Sequence, residues 1–162
     1  MVMTALAAGH CFYNRRTWQQ LGFRSDNLKA SLFANAVLSL VIVLITFAIK
    51  RHETHRLDEF HAHFDFYLPY ILLYSPAQEF LFRSYLFEEF RARGVISAPL
   101  LIGTTSLLYC LIHSISNTWD AVGLTLIMGL IWGTIYWRKP NFYGVALSHC
   151  VIGVVTILLG LI

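Results

Sequence analysis

The chain has 162 residues, enough for one domain. Apolar residues make up 57% and charged residues 13%, about half the charged share usual in a soluble domain, and the mean hydropathy is +0.60. This composition excludes an ordinary soluble globule, and a net charge of only +3 argues against a nucleic-acid partner.

The N-terminus does not read as a cleavable signal. Met1 to Ala8 is apolar but too short for a signal core, and no basic segment precedes it. Residues 1–29 are expected to form a cytoplasmic or interfacial segment. Met1 to Ala8 also suits the tail of a helix that starts upstream.

Five apolar segments follow, and residues 30–162 are expected to form an all-α bundle of about five transmembrane helices. Ala30 to Ile49 carries no charge and has the length that spans a bilayer. The second segment runs from about Phe66 to Phe90, the third from Ile96 to Ser116, the fourth from Ala121 to Trp137, and the fifth from Phe142 to Ile162. Periodicity does not separate helix from strand in such runs. Their length, and the need to satisfy backbone groups internally, favours helices.

Punctuation agrees with these segments. Arg93-Gly94 is expected to end the second helix, and Pro99 to sit in the first turn of the third. Asp120 suits an N-cap for the fourth, and Lys139-Pro140-Asn141 reads as a turn. Pro69 and Pro76 should bend the second helix or free a carbonyl just before Glu79. Gly129 and Gly133 make a small-xxx-small pair for close helix packing.

One side of the expected membrane collects Arg15, Arg16, Arg24, Lys29, Arg91, Arg93, Arg138 and Lys139; the other collects Lys50, Arg51 and Arg56. The excess places the N-terminus in the cytoplasm, and the expected location is a bacterial inner membrane. Trp119, Tyr136, Trp137 and Tyr143 fall at span ends, as an aromatic belt would. Cys11, Cys110 and Cys150 are odd in number and widely spaced, so they read as small buried side chains.

The connection from Lys50 to Asp65 holds His52, His55, His61 and His63. His52-Glu53-Thr54-His55 is HExH rather than HExxH, so its histidines do not share one helix face. A polar segment at the interface is the preferred reading. No metal site and no cofactor is expected.

The second segment carries Gln78, Glu79 and Arg83. Charge is expensive in hydrocarbon, so ionisable groups there face a bundle interior or a wet cavity and mark a functional site. Glu79 and Arg83 are four residues apart and can pair on one helix face. The third segment brings Tyr109 and His113, with Asn117 at its end, and the fifth brings His149 after Ser148. Glu79, His113 and His149 are the candidate catalytic residues, being the types that polarise a water and stabilise an oxyanion. By helix rise, His113 and His149 share a depth only if the third helix begins outside the hydrocarbon.

Three stretches resemble one family. Ser75-Pro76-Ala77-Gln78-Glu79-Phe80-Leu81-Phe82-Arg83 resembles the Glu-Glu-x-x-x-Arg motif of the CPBP family, the CAAX-processing and bacteriocin-processing (Abi) intramembrane proteases. Tyr109 to His113 is similar to its Phe-x-x-x-His motif, and Gly129 to Tyr136 to its glycine-rich helix. Ser148-His149 resembles the start of its His-x-x-x-Asn motif. The likeness spans roughly Ser75 to Leu159, within a core of about 66–162.

The resemblance implies a helical membrane endopeptidase of glutamic type, acting on a membrane-anchored or prenylated peptide. It implies that the first motif Glu activates water with help from the histidines, that the second pairs with Arg83, and that the later His and Asn bind the oxyanion. Here Gln78 stands for the first Glu and Gly153 for the Asn. A carboxamide is no general base near neutral pH. Gln78, Arg83, Tyr109 and Gly153 are therefore supporting residues. The alternative is a degenerate subunit that binds or scaffolds a membrane protein complex. A small channel or transporter would explain buried charge but not the ordered motifs.

Overall fold

The structure is a computed structural model and describes residues 1–49, 63–95, 97–114 and 119–159. The described residues form six helices and no strand. They are α1 (Val2–Tyr13), α2 (Leu28–Ile49), α3 (residues 64–92), α4 (Ala98–His113), α5 (Trp119–Arg138) and α6 (Phe142–Leu158). The expected all-α membrane bundle is borne out. By length and composition, α2 and residues 121–138 of α5 are long and apolar enough to cross a membrane, while α4 and α6 are shorter.

The clearest sign of a lipid solvent is the pattern of α2. Its buried residues are Ser31, Asn35, Ser39 and Thr46, while Phe33, Val37, Leu40, Leu44 and Phe47 are exposed. That is the reverse of a helix in a soluble protein. Apolar side chains gain nothing by leaving hydrocarbon, and small polar ones let backbones approach and hydrogen-bond. The polar face meets α6, where Ser39 Oγ lies 3.0 Å from Ser148 Oγ and a Cβ at Gly144 would run into Ser31.

α3 is one continuous rod with two π-helical turns, Tyr70–Tyr74 and Phe80–Tyr85, separated by Ser75–Glu79. The proline reading is thereby sharpened. Pro69 precedes the first π turn, so the chain absorbs the missing donor by widening its winding. α3 ends at Ala92, and Gly94 takes φ +81° just beyond it, as the Arg93-Gly94 signal implied.

α1 runs parallel to α3. Thr4 Oγ1 donates to the Ala77 carbonyl, and Arg16 reaches Glu88 and Glu89 at 3.3 and 3.0 Å. The loop before α2 docks on the turn between α5 and α6. Asn141 Nδ2 donates to the Arg24 carbonyl at 2.7 Å, and Phe142 N donates to the Gly22 carbonyl at 2.9 Å. Asn141 also N-caps α6 by accepting from Gly144 N. On this face Arg24 hydrogen-bonds Asp26, which keeps the Asp26 carboxyl below its usual range.

Two boundary readings need correction. Asp120 lies inside α5, which already includes Trp119, so it is not the N-cap. Tyr136 is 1% exposed and belongs to no aromatic belt; its hydroxyl donates to the Leu21 carbonyl and its ring meets Phe87 edge-on. Cys11, Cys110 and Cys150 are all buried thiols. His52, His55, His61 and Asn117, with Lys50, Arg51 and Arg56, lie outside the described residues; His63 precedes α3 as an exposed N-cap.

The small-xxx-small face meets α4. A Cβ at Gly129 would sit 3.1 Å from Ser106 Cβ, and one at Gly133 would sit 3.1 Å from Ile102 Cγ2. A Cβ at Gly123, on the same helix, would meet nothing within 4 Å. Gly129→Leu is expected to cost about 1–3 kcal/mol through overpacking, and Gly123→Leu to cost little. Thermal unfolding of both variants in detergent checks this; equal midpoints would remove the close α4–α5 contact.

Candidate active site

The polar residues of α3, α4, α5 and α6 converge in the bundle interior. Glu79 is 0% exposed and Arg83 1%. Glu79 Oε1 lies 3.1 Å from Arg83 Nη1 and 2.7 Å from His149 Nδ1, so one carboxylate oxygen serves both partners. Arg83 is held from its other side as well. Its guanidinium stands 4.6 Å from the Tyr109 ring centroid and 5.6 Å from that of Trp132, and Nη2 approaches the Gly129 carbonyl at 3.5 Å. Cation–π contacts gain strength in desolvated surroundings.

His149 is fixed on every side. The Trp132 ring stacks on it at 4.6 Å between centroids, with 23° between the planes. Trp132 Nε1 donates to Ser148 Oγ at 3.1 Å, which fixes the indole in turn. His149 Nε2 faces the Tyr109 hydroxyl at 3.4 Å. A carboxylate only accepts hydrogen bonds, so the neutral ring carries its proton on Nδ1 and leaves a lone pair on Nε2.

His113 sits one turn beyond Tyr109 on α4. Its Nδ1 lies 2.8 Å from the Tyr109 carbonyl, and the two rings stand 4.6 Å apart. The same donor logic leaves its Nε2 as the acceptor. The depth mismatch between His113 and His149 is resolved here without requiring the two rings to meet. Tyr109 contacts His149, and His113 lies a turn further along.

A cavity of about 410 Å³ opens against this cluster. Its polar groups come from Gln78, Tyr70, Tyr109, His113, His149 and three threonines, and Gly153 lies beside them. Ile42, Ile45 and Ile49 of α2, with Phe66, Leu124, Met128 and Ile152, form its apolar wall. Such a mix of apolar surface and a few convergent polar groups is typical of a ligand site. Glu79 does not line it. Gln78 does, and its Oε1 is buried without a hydrogen-bond partner among the described residues.

The candidate residues Glu79, His113 and His149, and the supporting Gln78, Arg83, Tyr109 and Gly153, are thus all within one interior cluster. Two contributors escaped the sequence reading. Trp132 lay inside the glycine-rich stretch and Tyr70 lay near Pro69, but an aromatic residue in an apolar run carries no signal of its own. Among the described residues no group of three or more His, Cys, Asp or Glu is arranged to hold a metal ion.

The sequence model of the family described as type II CAAX prenyl endopeptidase Rce1-like matches residues 61–155, more than half of the chain. The chain belongs to this family, and the resemblance drawn from its motifs is borne out. Neither curated proteins nor solved structures give a match.

The buried pair sets a stability expectation. Removing one partner of a buried ion pair leaves an uncompensated charge and costs about 3–5 kcal/mol. Arg83→Met is expected to show that loss, and Glu79→Gln/Arg83→Met to recover part of it. Thermal unfolding of the two variants is the check; a double variant no more stable than the single would mean that the pair is not coupled.

Proposed function

We propose that this chain is an intramembrane endopeptidase that cleaves a membrane-associated or prenylated peptide bound in the cavity. The observation carrying the reading is the 2.7 Å bond between Glu79 Oε1 and His149 Nδ1, in a ring that lines the cavity and whose Nε2 faces the Tyr109 hydroxyl. A carboxylate behind an imidazole fixes its tautomer and stabilises the imidazolium.

In this reading, His149 Nε2 takes a proton from a water as its oxygen attacks the peptide carbonyl carbon. The carbonyl electron pair moves onto oxygen. When the intermediate collapses, the C–N bond breaks and the imidazolium returns the proton to the departing nitrogen. The Tyr109 hydroxyl sits at the long end of hydrogen bonding, 3.4 Å from Nε2, so a water displaces it at little cost. His113 lines the same cavity, and its remaining ring nitrogen orients that water. Arg83 neutralises Glu79 and holds it in place.

A second reading is a family member that binds or scaffolds a membrane partner without hydrolysis. Gln78 favours it, because the amide on the cavity wall cannot take a proton. General-base assistance is worth roughly 10²–10⁴-fold. His149→Ala should therefore slow hydrolysis of a fluorogenic farnesylated peptide with a CAAX end by at least about a hundredfold, measured on the purified chain in detergent. Equal rates in wild type and variant overturn the peptidase reading. No hydrolysis, with a stoichiometric partner in the purified material, favours the second.

The excess of Lys and Arg at the end that carries Arg15, Arg16, Arg24, Lys29, Arg138 and Lys139 supports a cytoplasmic N-terminus. Trp18, 70% exposed beside this end, is a labelling point. With Trp18→Cys, a membrane-impermeant thiol reagent should label inside-out vesicles and spare right-side-out ones. The opposite pattern reverses the orientation.

A further inference from the structure

The cavity wall holds a phenol that no motif announced. Tyr70 stands in the π turn after Pro69 and lines the cavity beside His149, with ring centroids 6.3 Å apart in an edge-on arrangement. Its hydroxyl lies over Gly153, close enough that a Cβ at that position would collide with it. Gly153 follows His149 by one helical turn on α6, so the phenol fills the side-chain space next to the imidazole. The Tyr70 hydroxyl makes no hydrogen bond to any described residue, whereas the hydroxyls of Tyr109 and Tyr136 both have partners.

We propose that the Tyr70 hydroxyl is the donor that holds the carbonyl oxygen of a peptide bound in the cavity, the oxygen that becomes the oxyanion in hydrolysis. The assignment rests on the peptide-binding half of the reading above. A donor placed beside the proton acceptor is where charge develops when water adds to a carbonyl. A phenol is well suited to this site, because it donates one strong hydrogen bond and remains neutral as it does so. Gly153 is then a necessity rather than a gap: any side chain there would displace the ring. Tyr70 exchanges no proton in the step; its O–H bond stays intact while the oxyanion forms and collapses.

Tyr70→Phe isolates the hydroxyl, because the ring that fills the space over Gly153 is retained. Loss of one oxyanion donor costs about 10²–10³ in kcat. The variant should show that loss on the farnesylated peptide, with KM and thermal unfolding near wild type. A second measurement does not depend on turnover. A farnesylated peptide with a ketomethylene group in place of the cleaved amide, ¹³C-labelled at the ketone, is bound to wild type and variant. The ketone stretch should lie at lower frequency in the wild-type complex and move back up in Tyr70→Phe. An unchanged stretch in the variant overturns the Tyr70 assignment and leaves the peptidase reading standing. Binding with a Tyr70-dependent shift but no hydrolysis keeps the assignment and removes the peptidase reading. No binding of the isostere to wild type overturns both.

Discussion

The interior of this bundle is organised around one carboxylate oxygen. Glu79 Oε1 takes Arg83 from its own helix and His149 from α6, with both side chains of the ion pair essentially unexposed. Desolvating such a pair is expensive, and its mutual attraction repays that only with good geometry and further bonds. Those further bonds recruit the rest of the fold. Arg83 lies against Tyr109 of α4 and Trp132 of α5, and Trp132 is in turn tied through Ser148 to Ser39 of α2. α3, α4, α5 and α6 each place a residue against that carboxylate or its partners, and α2 joins the network at its edge through Ser39. Replacing a buried ion pair by well-packed apolar residues is often neutral or stabilising, whereas removing one partner leaves an uncompensated buried charge.

Between the polar centre and the lipid, packing works by size. Apolar side chains gain no hydrophobic free energy by moving from lipid to protein, so contact quality and small residues decide which faces meet. α4 and α5 close on Gly129 and Gly133 against Ser106 and Ile102, and α2 and α6 close on Ser31 and Gly144. The thick aliphatic surface of α2 is left facing outward. The same logic shapes the cavity. Three isoleucines at the far half of α2 complete its apolar wall, so a helix with few buried residues still helps to form the site.

Much of this was legible in the chain. The apolar runs give the helices, and the Glu79–Arg83 spacing gives the pair. The order of Gln78-Glu79, His113 and His149 gives the family. What the sequence hides is winding and depth. Nothing in Tyr70-Ile71-Leu72-Leu73-Tyr74 announces a π turn, since the propensities of α and π turns are alike and the choice lies in how a proline upstream is accommodated. Depth was equally hidden. Counting residues along two helices put His113 and His149 on different levels, and the answer is that Tyr109 reaches the level of His149 while His113 reaches the cavity one turn later. Tyr136 misled for a related reason: position near a helix end does not say which side of the helix a ring occupies.

The fate of Gln78 and Glu79 follows from helix geometry. Adjacent residues on an α-helix point about 100° apart, so Gln78 and Glu79 leave α3 in different directions. Here Glu79 is committed: Arg83, one turn on, and His149 hold it inward. Gln78 is therefore delivered to the cavity wall, and the cavity receives an amide. The ionisable capacity of the site is displaced by one residue, from the wall to the layer behind it. What the cavity meets directly is the imidazole of His149 with that carboxylate at its back, which is an acid–base arrangement of a different kind from a carboxylate acting alone. An amide takes no proton, so the basicity of this wall rests on the imidazoles of His113 and of His149, the latter braced by Glu79 and stacked on Trp132.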